Sequence, residues 1–134
     1  MIVLDTSAVV ALLQEEPEAP EIARAIVDAD GCLLSAVSYL ESAMVLIGRT
    51  GVGAVDDLDA LIDQAGVEVV PFDRPQSKLA REAFLRFGKG RHPAALNFGD
   101  CASYALASGR ALPLLFKGKD FMQSDITAVR LKRE

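Results

Sequence analysis

The chain opens on a short apolar run that ends in an acid, Met1-Ile2-Val3-Leu4-Asp5, and two hydroxyl residues follow it. A run this short, bounded by polar residues, predicts a strand that is buried on both faces of a sheet. In open α/β sheets, ligands bind beyond the carboxyl ends of the strands. The pattern therefore predicts a buried first strand with Asp5 at a candidate ligand-binding edge.

Further short apolar segments follow, and the stretches between them have helical spacing. The strand-like segments cover residues 32–34, 67–70, 112–116 and 128–131. Apolar residues spaced by three and four predict helices over residues 8–13, 20–30, 35–47, 55–65, 77–87 and 99–108. This alternation predicts an α/β fold with a parallel sheet covered on both faces. The length predicts a single domain over residues 1–134.

Charge is distributed unevenly along the chain. The net charge is −5, but residues 1–73 hold 14 acids and 2 bases, whereas residues 74–134 hold 5 acids and 12 bases. Within residues 74–92 the only acid is Glu82, and the bases are Arg74, Lys78, Arg81, Arg86, Lys89 and Arg91. Such asymmetry is compatible with a basic, nucleic-acid-binding face on an acidic protein, and also with a solvated helix face.

The composition excludes several classes of protein and site. No apolar run reaches the roughly 18 to 20 residues of a membrane helix, and no basic segment precedes the first apolar run as in a signal peptide. Cys32 and Cys101 lack the spacing of a metal or redox motif, so buried thiols in a reducing cytoplasm are expected. His92 is the only histidine, which excludes a His-rich zinc site. We expect a cytoplasmic protein without membrane contact.

Acids stand where predicted strands end or the next helices begin. Asp5 follows the first strand, and Asp120 follows the segment 112–116 and its turn. Glu41 is the only charge in a strongly apolar predicted helix, and Asp100 lies in the first turn of another. In a parallel sheet these positions share one edge, where carboxylates would repel one another unless a cation neutralised them. Oxygen ligands favour Mg²⁺ or Mn²⁺, and such a site suits phosphodiester hydrolysis.

Asp5 and Glu41 also have structural explanations. Asp5 could be the N-cap of the following helix. Ser38 and Glu41 have the spacing of a capping box, although Ser35 is the better start for that helix because it follows the strand directly. Burial of a lone acid in an apolar helix favours a functional role for Glu41.

The remaining acids have structural explanations as well. First-turn acids such as Asp100 are favoured by the helix dipole, with Asn97 as the expected cap and the Asp100 side chain free to reach a neighbour. Asp125 is a further candidate beside Asp120, but Ser124-Asp125 is equally typical of a turn or cap. Taken singly, none of these acids identifies a site.

The acids and their surroundings together resemble the PIN-domain ribonucleases, and among these the VapC toxins of bacterial type II toxin–antitoxin systems. The residues that carry the resemblance are Val3-Leu4-Asp5-Thr6-Ser7-Ala8, Glu41 in its apolar helix, Phe87-Gly88-Lys89-Gly90-Arg91-His92-Pro93 with its continuation to Asp100-Cys101, and Leu114-Leu115-Phe116-Lys117-Gly118-Lys119-Asp120-Phe121. The likeness extends from the first residue to about Ile126, and the stretch that leads to Asp100 is its most specific part.

The resemblance implies a PIN-like three-layer α/β/α sandwich around a mainly parallel sheet. It also implies a Mg²⁺-dependent endoribonuclease, with Mn²⁺ as an alternative ion. By position, Asp5 and Asp100 match the metal ligands, and Glu41 matches the acid that orients water at the metal. Many PIN domains carry an acid where this chain has Gly118, so either Asp120 completes the catalytic set, with Asp125 as the other candidate, or the site works with three acids.

The resemblance further implies a homodimer that a VapB-type antitoxin inhibits, in a heterotetramer or larger assembly. The RNA substrate is not determined. Basic residues near the acids are hypothesised to bind its backbone phosphates, namely Arg86, Lys89, Arg91, Lys117 and Lys119. Two alternatives are a catalytically silent PIN-like binding module and an aspartyl-nucleophile phosphatase. The phosphatase would need a second acid where this chain has Ser7.

Overall fold

A computed structural model describes residues 1–131 as four strands, six helices and a short 3-10 helix. The strands are β1 (Ile2–Leu4), β2 (Cys32–Ser35), β3 (Val67–Val70) and β4 (Leu114–Leu115). The helices are α1 (Thr6–Leu13), α2 (Ala19–Asp28), α3 (Ala36–Thr50), α4 (Ala54–Ala65), α5 (Arg74–Phe87) and α6 (Phe98–Arg110), and the 3-10 helix is Asp120–Gln123. None of these helices is long and apolar enough to span a membrane.

The strands form one parallel sheet in the order β3-β2-β1-β4. β1 pairs with β2 from Ile2 opposite Cys32, and with β4 from Val3 opposite Leu114. The chain builds the sheet outward from β1 to β3 and then adds β4 on the other side of β1. The strand order therefore reverses between β1 and β4. At such a reversal a crevice opens between the carboxyl ends of the two strands, and α/β proteins bind their ligands in it.

An apolar core lies on each face of the sheet, because successive strand residues point to opposite sides. Ile2 and Leu4 face the core formed with helices α1 to α4, whereas Val3 faces the core formed with α5 and α6. Val3 and Leu4 are both completely buried. The sheet therefore lies between two helical layers, and the expected α/β/α sandwich is confirmed.

Local signals account for most helix ends. The side chains of the N-caps accept backbone N–H bonds from the first turns of α1, α3, α5 and α6, and these caps are Asp5, Ser35, Asp73 and Asn97. α4 ends at Gly66, whose φ of 63° lies in the left-handed region that favours glycine. The predicted helix start at Ser35 and helix end at Gly66 are confirmed.

Two predicted helix ends lie too early in the chain. α3 continues past Gly48 to Thr50 and ends at Gly51, whose φ is 94°. α6 likewise continues past Gly109, and the left-handed residue at its end is Ala111. A glycine inside a helix weakens it only modestly, so tertiary packing rather than the first glycine decided both ends.

The last two predicted strands are shorter than expected. The strand over residues 112–116 is reduced to β4, because Pro113 has no N–H to pair with the sheet. The predicted strand over residues 128–131 is wrong, since Ala128 makes only an isolated bridge to Leu114. Both differences lie at the β4 side of the sheet, where residues 127 and 129 make only two backbone hydrogen bonds to Leu114, of 2.8 and 3.0 Å.

Candidate active site

Asp5 lies at the carboxyl end of β1, where the strand order reverses. It is only 3% exposed. Its backbone N–H donates to the carbonyl oxygen of Leu115 in β4 at 2.9 Å, and its side chain caps α1. Asp5 is therefore at the predicted edge of the sheet, and the structural alternative of a helix cap holds at the same time.

Donors from two elements surround the Asp5 carboxylate. Ser7 donates to Oδ2 through its backbone N–H at 3.0 Å and its hydroxyl at 2.6 Å. The hydroxyl of Ser103 in α6 donates to Oδ1 at 2.6 Å. Three donors are enough to fix the plane of this carboxylate.

A buried serine of α3 extends this network. The Oγ atoms of Ser38 and Ser103 are 3.0 Å apart. A hydroxyl has one proton, and that of Ser103 goes to Asp5, so Ser38 donates in the second bond. The sequence had suggested Ser38 only as a helix cap, and it had given no role to Ser103. The available signal was that Ser103 follows Asp100 by three residues, which places the two on one side of a helix.

Glu41 lies between the beginnings of α1 and α6. Its Oε1 accepts the hydroxyl of Thr6 at 2.6 Å. A Cβ atom at Gly99 would lie 2.3 Å from Oε1 and 2.5 Å from Oε2 of Glu41. The absence of a side chain at Gly99 therefore makes room for the Glu41 carboxylate beside α6.

Asp100 forms a capping box with Asn97. The Asn97 N–H donates to Asp100 Oδ2 at 3.0 Å, and the Asp100 N–H donates to Asn97 Oδ1 at 2.8 Å. The prediction of Asn97 as the cap is confirmed. The prediction that the Asp100 side chain is free is wrong, because its Oδ2 accepts a hydrogen bond from the backbone N–H of Asn97.

The electrostatic environment of Asp100 brings the predicted acids together. The pKa of Asp100 is raised to about 6, chiefly by burial, and the hydrogen bond from the Asn97 N–H opposes that rise. The negative charges of Asp5, Asp120 and Glu41 make smaller contributions to the same rise. All four acids are therefore close enough to interact through their charges.

Asp120 and Asp125 have different surroundings. Asp120 is exposed at the start of the 3-10 helix and repels the charge of Asp100. Asp125 instead accepts the Tyr104 hydroxyl and, at 2.9 Å, the guanidinium of Arg86, and both bonds lower its pKa. Asp120 therefore acts on Asp100 through its charge and does not line the cleft with the other acids, whereas Asp125 is engaged elsewhere.

Asp5, Glu41 and Asp100 line a cleft of about 300 Å³. Its lining residues are Asp5, Thr6, Ser7, Val10, Glu16, Glu41, Val45, Arg49, Asp100 and Lys117. The acidic side chains offer carboxylate oxygens, which hard divalent cations prefer. Within residues 1–131, no three Asp, Glu, His or Cys side chains lie close enough together to hold one metal ion. The donor chemistry fits a hard cation, and fewer than three of its ligands would be acidic, histidine or cysteine side chains.

Only Lys117 of the five predicted RNA-binding residues lines this cleft in the part of the chain that the structure describes. Its ammonium group pairs with Glu16 and lies 3.7 Å from Glu18. Arg86 is paired with Asp125 and lies 4.7 Å from the Phe87 ring centre. The others are exposed in loops: Lys89 and Arg91 between α5 and α6, and Lys119 before the 3-10 helix.

Arg49 also lines the cleft, although nothing in the sequence indicated it as a site residue. Its guanidinium donates to Gln14 Oε1 at 3.1 Å and lies 3.6 Å from Glu16 Oε2. Its place in the last turn of α3 suggested only a favourable interaction with the helix dipole. Nothing local to the sequence indicated that this turn reaches the cleft.

Comparisons with known proteins match nearly the whole chain. The PIN domain family model matches residues 2–126. A protein named Ribonuclease VapC from Mycolicibacterium smegmatis is 46% identical over 127 residues, which cover 95% of this chain and 98% of the relative. Ribonuclease VapC30 from Mycobacterium tuberculosis is 47% identical over 130 residues, with 96% and 98% covered.

Solved structures show the same fold at lower sequence identity. VapC20 of Mycobacterium tuberculosis, described as a Sarcin-Ricin loop cleaving toxin, matches with a TM-score of 0.80 at 20% identity, over 97% of this chain and 99% of that one. VapBC2 from Rickettsia felis, bound to a DNA fragment from its promoter, matches with a TM-score of 0.74 at 12% identity, over 98% and 100%. At such identities the likeness concerns the fold alone.

Proposed function

The chain belongs to the PIN-domain family, among its VapC ribonucleases, and from this premise we propose that it is the toxin of a type II toxin–antitoxin pair. In this proposal residues 1–134 form one PIN domain that acts in the cytoplasm as a Mg²⁺- or Mn²⁺-dependent endoribonuclease. One observation carries the proposal. Asp5, Glu41 and Asp100 line the same cleft, and the pKa of Asp100 is raised by its acidic neighbours as well as by burial.

Asp5 and Asp100 are the proposed metal ligands. The three hydrogen bonds to Asp5 orient its carboxylate, and the Asn97 N–H orients that of Asp100. Two protein ligands suit Mg²⁺, which usually keeps several of its waters. A bound divalent cation would neutralise the repelling acids, activate water and stabilise charge on the phosphodiester.

Glu41 and Asp120 complete the proposed catalytic set. Thr6 donates to Oε1 of Glu41, which leaves Oε2 to orient the attacking water and accept its proton. Water attacks phosphorus and the P–O3′ bond breaks, so the products carry a 5′-phosphate and a 3′-hydroxyl. Asp120 is exposed and its charge acts on Asp100, so it would add to the attraction for a cation.

The proposed RNA contacts follow the basic side chains around the cleft. Lys117 lies in its wall, and Lys119 is two residues away. Lys89 and Arg91 lie in the loop that leads to α6, whereas Arg86 would first have to leave Asp125. Phosphate contacts of this kind give affinity with little sequence selectivity.

An apolar groove of about 500 Å³ adjoins the cleft and is the proposed antitoxin surface. Leu40 and Met44 of α3 and Phe98 of α6 line it, and they are 59%, 64% and 74% exposed. Glu41 lines both the groove and the cleft. A VapB-type segment in this groove would therefore cover the acids and block substrate, which accounts for inhibition.

A second apolar hollow, of about 420 Å³ between α5 and α6, supports the proposed homodimer. It is lined by Phe72, Phe84 and Phe98, and Phe84 is 43% exposed. Exposed apolar patches of this kind mark protein interfaces. One such homodimer with two antitoxin chains would form the heterotetramer, and pairs of heterotetramers would form a larger assembly.

The test is expression of the chain without antitoxin, followed by mapping of new RNA 5′ ends across the transcriptome. Wild type should stop growth and create new 5′-phosphate ends, and Asp5→Asn should do neither. Asparagine keeps the shape of Asp5, and its single side-chain oxygen can still accept both Ser7 bonds, so the variant removes the charge and the acceptor of Ser103. Asp125→Asn is the matched control and should behave as wild type.

Two results would overturn the proposal. Equal arrest by wild type and Asp5→Asn would show that the acid cluster is not catalytic, as in a binding module. Absence of new ends with a phosphoryl group trapped on Asp5 would favour the phosphatase.

A further inference from the structure

Two cations meet at one carboxylate on the wall of the acidic cleft. Lys117 forms an ion pair with Glu16, and NH1 of Arg49 lies 3.6 Å from Oε2 of the same side chain. All three residues line the cleft that contains Asp5, Glu41 and Asp100. Arg49 is the one cation of this cleft for which the proposed function has no role.

Glu16, Arg49 and Lys117 together form a charge bridge, and each of the three is held by a different element. Glu16 follows Glu15, whose φ of 53° is left-handed, and the Glu16 N–H donates to Ala11 O at 2.9 Å. The backbone N–H of Lys117 donates to Ser7 Oγ at 2.9 Å. Arg49 lies in the last turn of α3 and also binds Gln14. The backbone thus brings the three charges together.

The bridge is accessible and can open. The side chains of Arg49 and Lys117 are 55% and 36% exposed, and that of Glu16 is 23% exposed. Ion pairs with this degree of exposure are weak and are screened by salt. An anion that enters the cleft can therefore replace Glu16 as the partner of both cations.

A phosphate suits this position better than the carboxylate that occupies it. Arginine binds phosphate through two parallel N–H bonds, whereas its present contact with Glu16 is a single 3.6 Å approach. Lysine adds a compact second charge. A phosphodiester chain whose one phosphate reaches the acid cluster would bring a neighbouring phosphate to the other wall of the cleft.

We propose that Arg49 and Lys117 form a binding site for a backbone phosphate of RNA, and that Glu16 competes with this phosphate in the free protein. The inference rests on the proposed function, which supplies RNA as the ligand. Glu16 then acts as a built-in competitor that lowers the affinity for RNA. Release of Glu16 accompanies substrate binding.

The test measures binding without cleavage. A fluorescent single-stranded RNA oligonucleotide of mixed sequence is titrated in EDTA at several NaCl concentrations, and anisotropy gives the dissociation constant. Arg49→Gln should weaken binding several-fold and reduce the slope of log K against log salt by about 0.7, the value for one lost phosphate contact on a single strand. Glu16→Gln should strengthen binding several-fold. In Arg49→Gln/Glu16→Gln most of that gain should disappear.

Matched controls separate the site from overall charge. Glu15→Gln removes the same charge one residue away, outside the cleft lining, and Arg110→Gln removes an exposed arginine at the far end of α6. The inference is wrong if Glu16→Gln binds RNA as Glu15→Gln does and Arg49→Gln binds RNA as Arg110→Gln does. It is also wrong if the effects of Glu16→Gln and Arg49→Gln on RNA binding simply add. Polyglutamate is the second probe. If Arg49→Gln loses as much affinity for polyglutamate as for RNA, the assignment to RNA is overturned.

Failure of the inference is distinguishable from failure of the proposed function. Cleavage by wild type that is lost in Asp5→Asn upholds the proposed function whatever the bridge variants do. RNA binding that responds to Arg49 and Glu16 without any cleavage would uphold the phosphate site alone.

Discussion

Asp5 combines a structural and a proposed catalytic task in one side chain. It caps α1 through the Ser7 N–H, and it also accepts the hydroxyls of Ser7 and Ser103. A buried carboxylate is costly unless it is hydrogen-bonded, and three donors meet that requirement. The same bonds fix its direction, which is what a metal ligand needs. Capping and ligation are therefore compatible at this residue.

The buried serines allow a first test of this arrangement. Ser103→Ala removes a donor from Asp5 and leaves Ser38 without its acceptor, so it should lower the free energy of unfolding by about 1–3 kcal/mol. It should also weaken Mn²⁺ binding about 10- to 100-fold, because Asp5 loses its orientation. Urea unfolding and calorimetric titration measure the two effects.

Ser42 provides the control for Ser103. It is as fully buried, but its hydroxyl has no hydrogen-bond partner among the described residues. Ser42→Ala should therefore leave stability within about 0.5 kcal/mol of wild type, or raise it slightly. Equal losses of Mn²⁺ affinity in both variants would contradict a positioning role for Ser103.

Asp100 gives a prediction with a defined dependence on pH. Its pKa is about 6 in the folded protein against 3.8 for an unperturbed aspartate. Between these values the folded state binds more protons than the unfolded state, so the free energy of unfolding falls as pH rises. In metal-free protein at pH 8, Asp100→Asn should be more stable than wild type by about 1 kcal/mol, a value reduced for partial exposure. The difference should vanish as pH falls toward 4.

The control for Asp100 has the opposite sign. Tyr104 and Arg86 lower the pKa of Asp125, so its charge stabilises the folded state above the unfolded pKa. Asp125→Asn should not gain stability at pH 8. Urea denaturation across the pH range compares the variants, and a gain in both would show that general charge relief, not the acid cluster, is responsible.

At the scale of elements, the site depends on how closely α3 approaches the start of α6. Glu41 reaches the cleft because Gly99 has no side chain. Gly99→Ala would place a Cβ within 2.5 Å of both Glu41 oxygens. The flexible Glu41 carboxylate must therefore move, and it loses the hydrogen bond from the Thr6 hydroxyl. RNA cleavage should fall more than tenfold while the melting temperature changes little, since a side-chain end rather than backbone is displaced. Cleavage kinetics and circular dichroism measure the two.

Gly48 is the matched control on α3. A Cβ atom there has nothing within 4 Å, and alanine is favoured over glycine in a helix by about 1 kcal/mol. Gly48→Ala should raise stability and leave cleavage unchanged. If Gly99→Ala retains wild-type cleavage, Glu41 does not need its present position.

Element ends were predictable where the signal is local. Ser35 and Asn97 cap their helices because a side-chain oxygen binds an N–H of the same turn. Asp100 shows the limit, since its box with Asn97 is local but its repulsion by Asp5 and Glu41 is not. The strand over residues 128–131 was predicted from apolarity, but pairing with Leu114 is what decides a strand.

At the scale of the whole molecule, sheet order brings distant segments to one cleft. β4 returns to pair with β1, and Ser103 contacts Asp5 across 98 residues of sequence. Acids crowded in this way oppose folding until a cation neutralises them. Metal binding should therefore stabilise the whole domain.

Mn²⁺ at 100 times its dissociation constant should raise the free energy of unfolding by about 2.7 kcal/mol, equivalent to about 10 °C in melting temperature. EDTA should reverse the shift. Asp5→Asn should abolish most of it, whereas Asp125→Asn should keep it, because Asp125 is bound to Tyr104 and Arg86. Differential scanning fluorimetry measures these shifts, and an equal response of Asp5→Asn and wild type would contradict the proposed ligand set.

The sequence by itself determined the fold class and most helix starts and proposed the candidate acids, because apolar periodicity and capping act within a few residues. Only the tertiary structure decided which side chains share the cleft. It brought in Ser38, Ser103, Arg49 and Glu16, left Asp120 outside the cleft lining, and engaged Asp125 elsewhere. The physical reason is that these contacts depend on strand order and helix packing, which join residues that no local pattern relates.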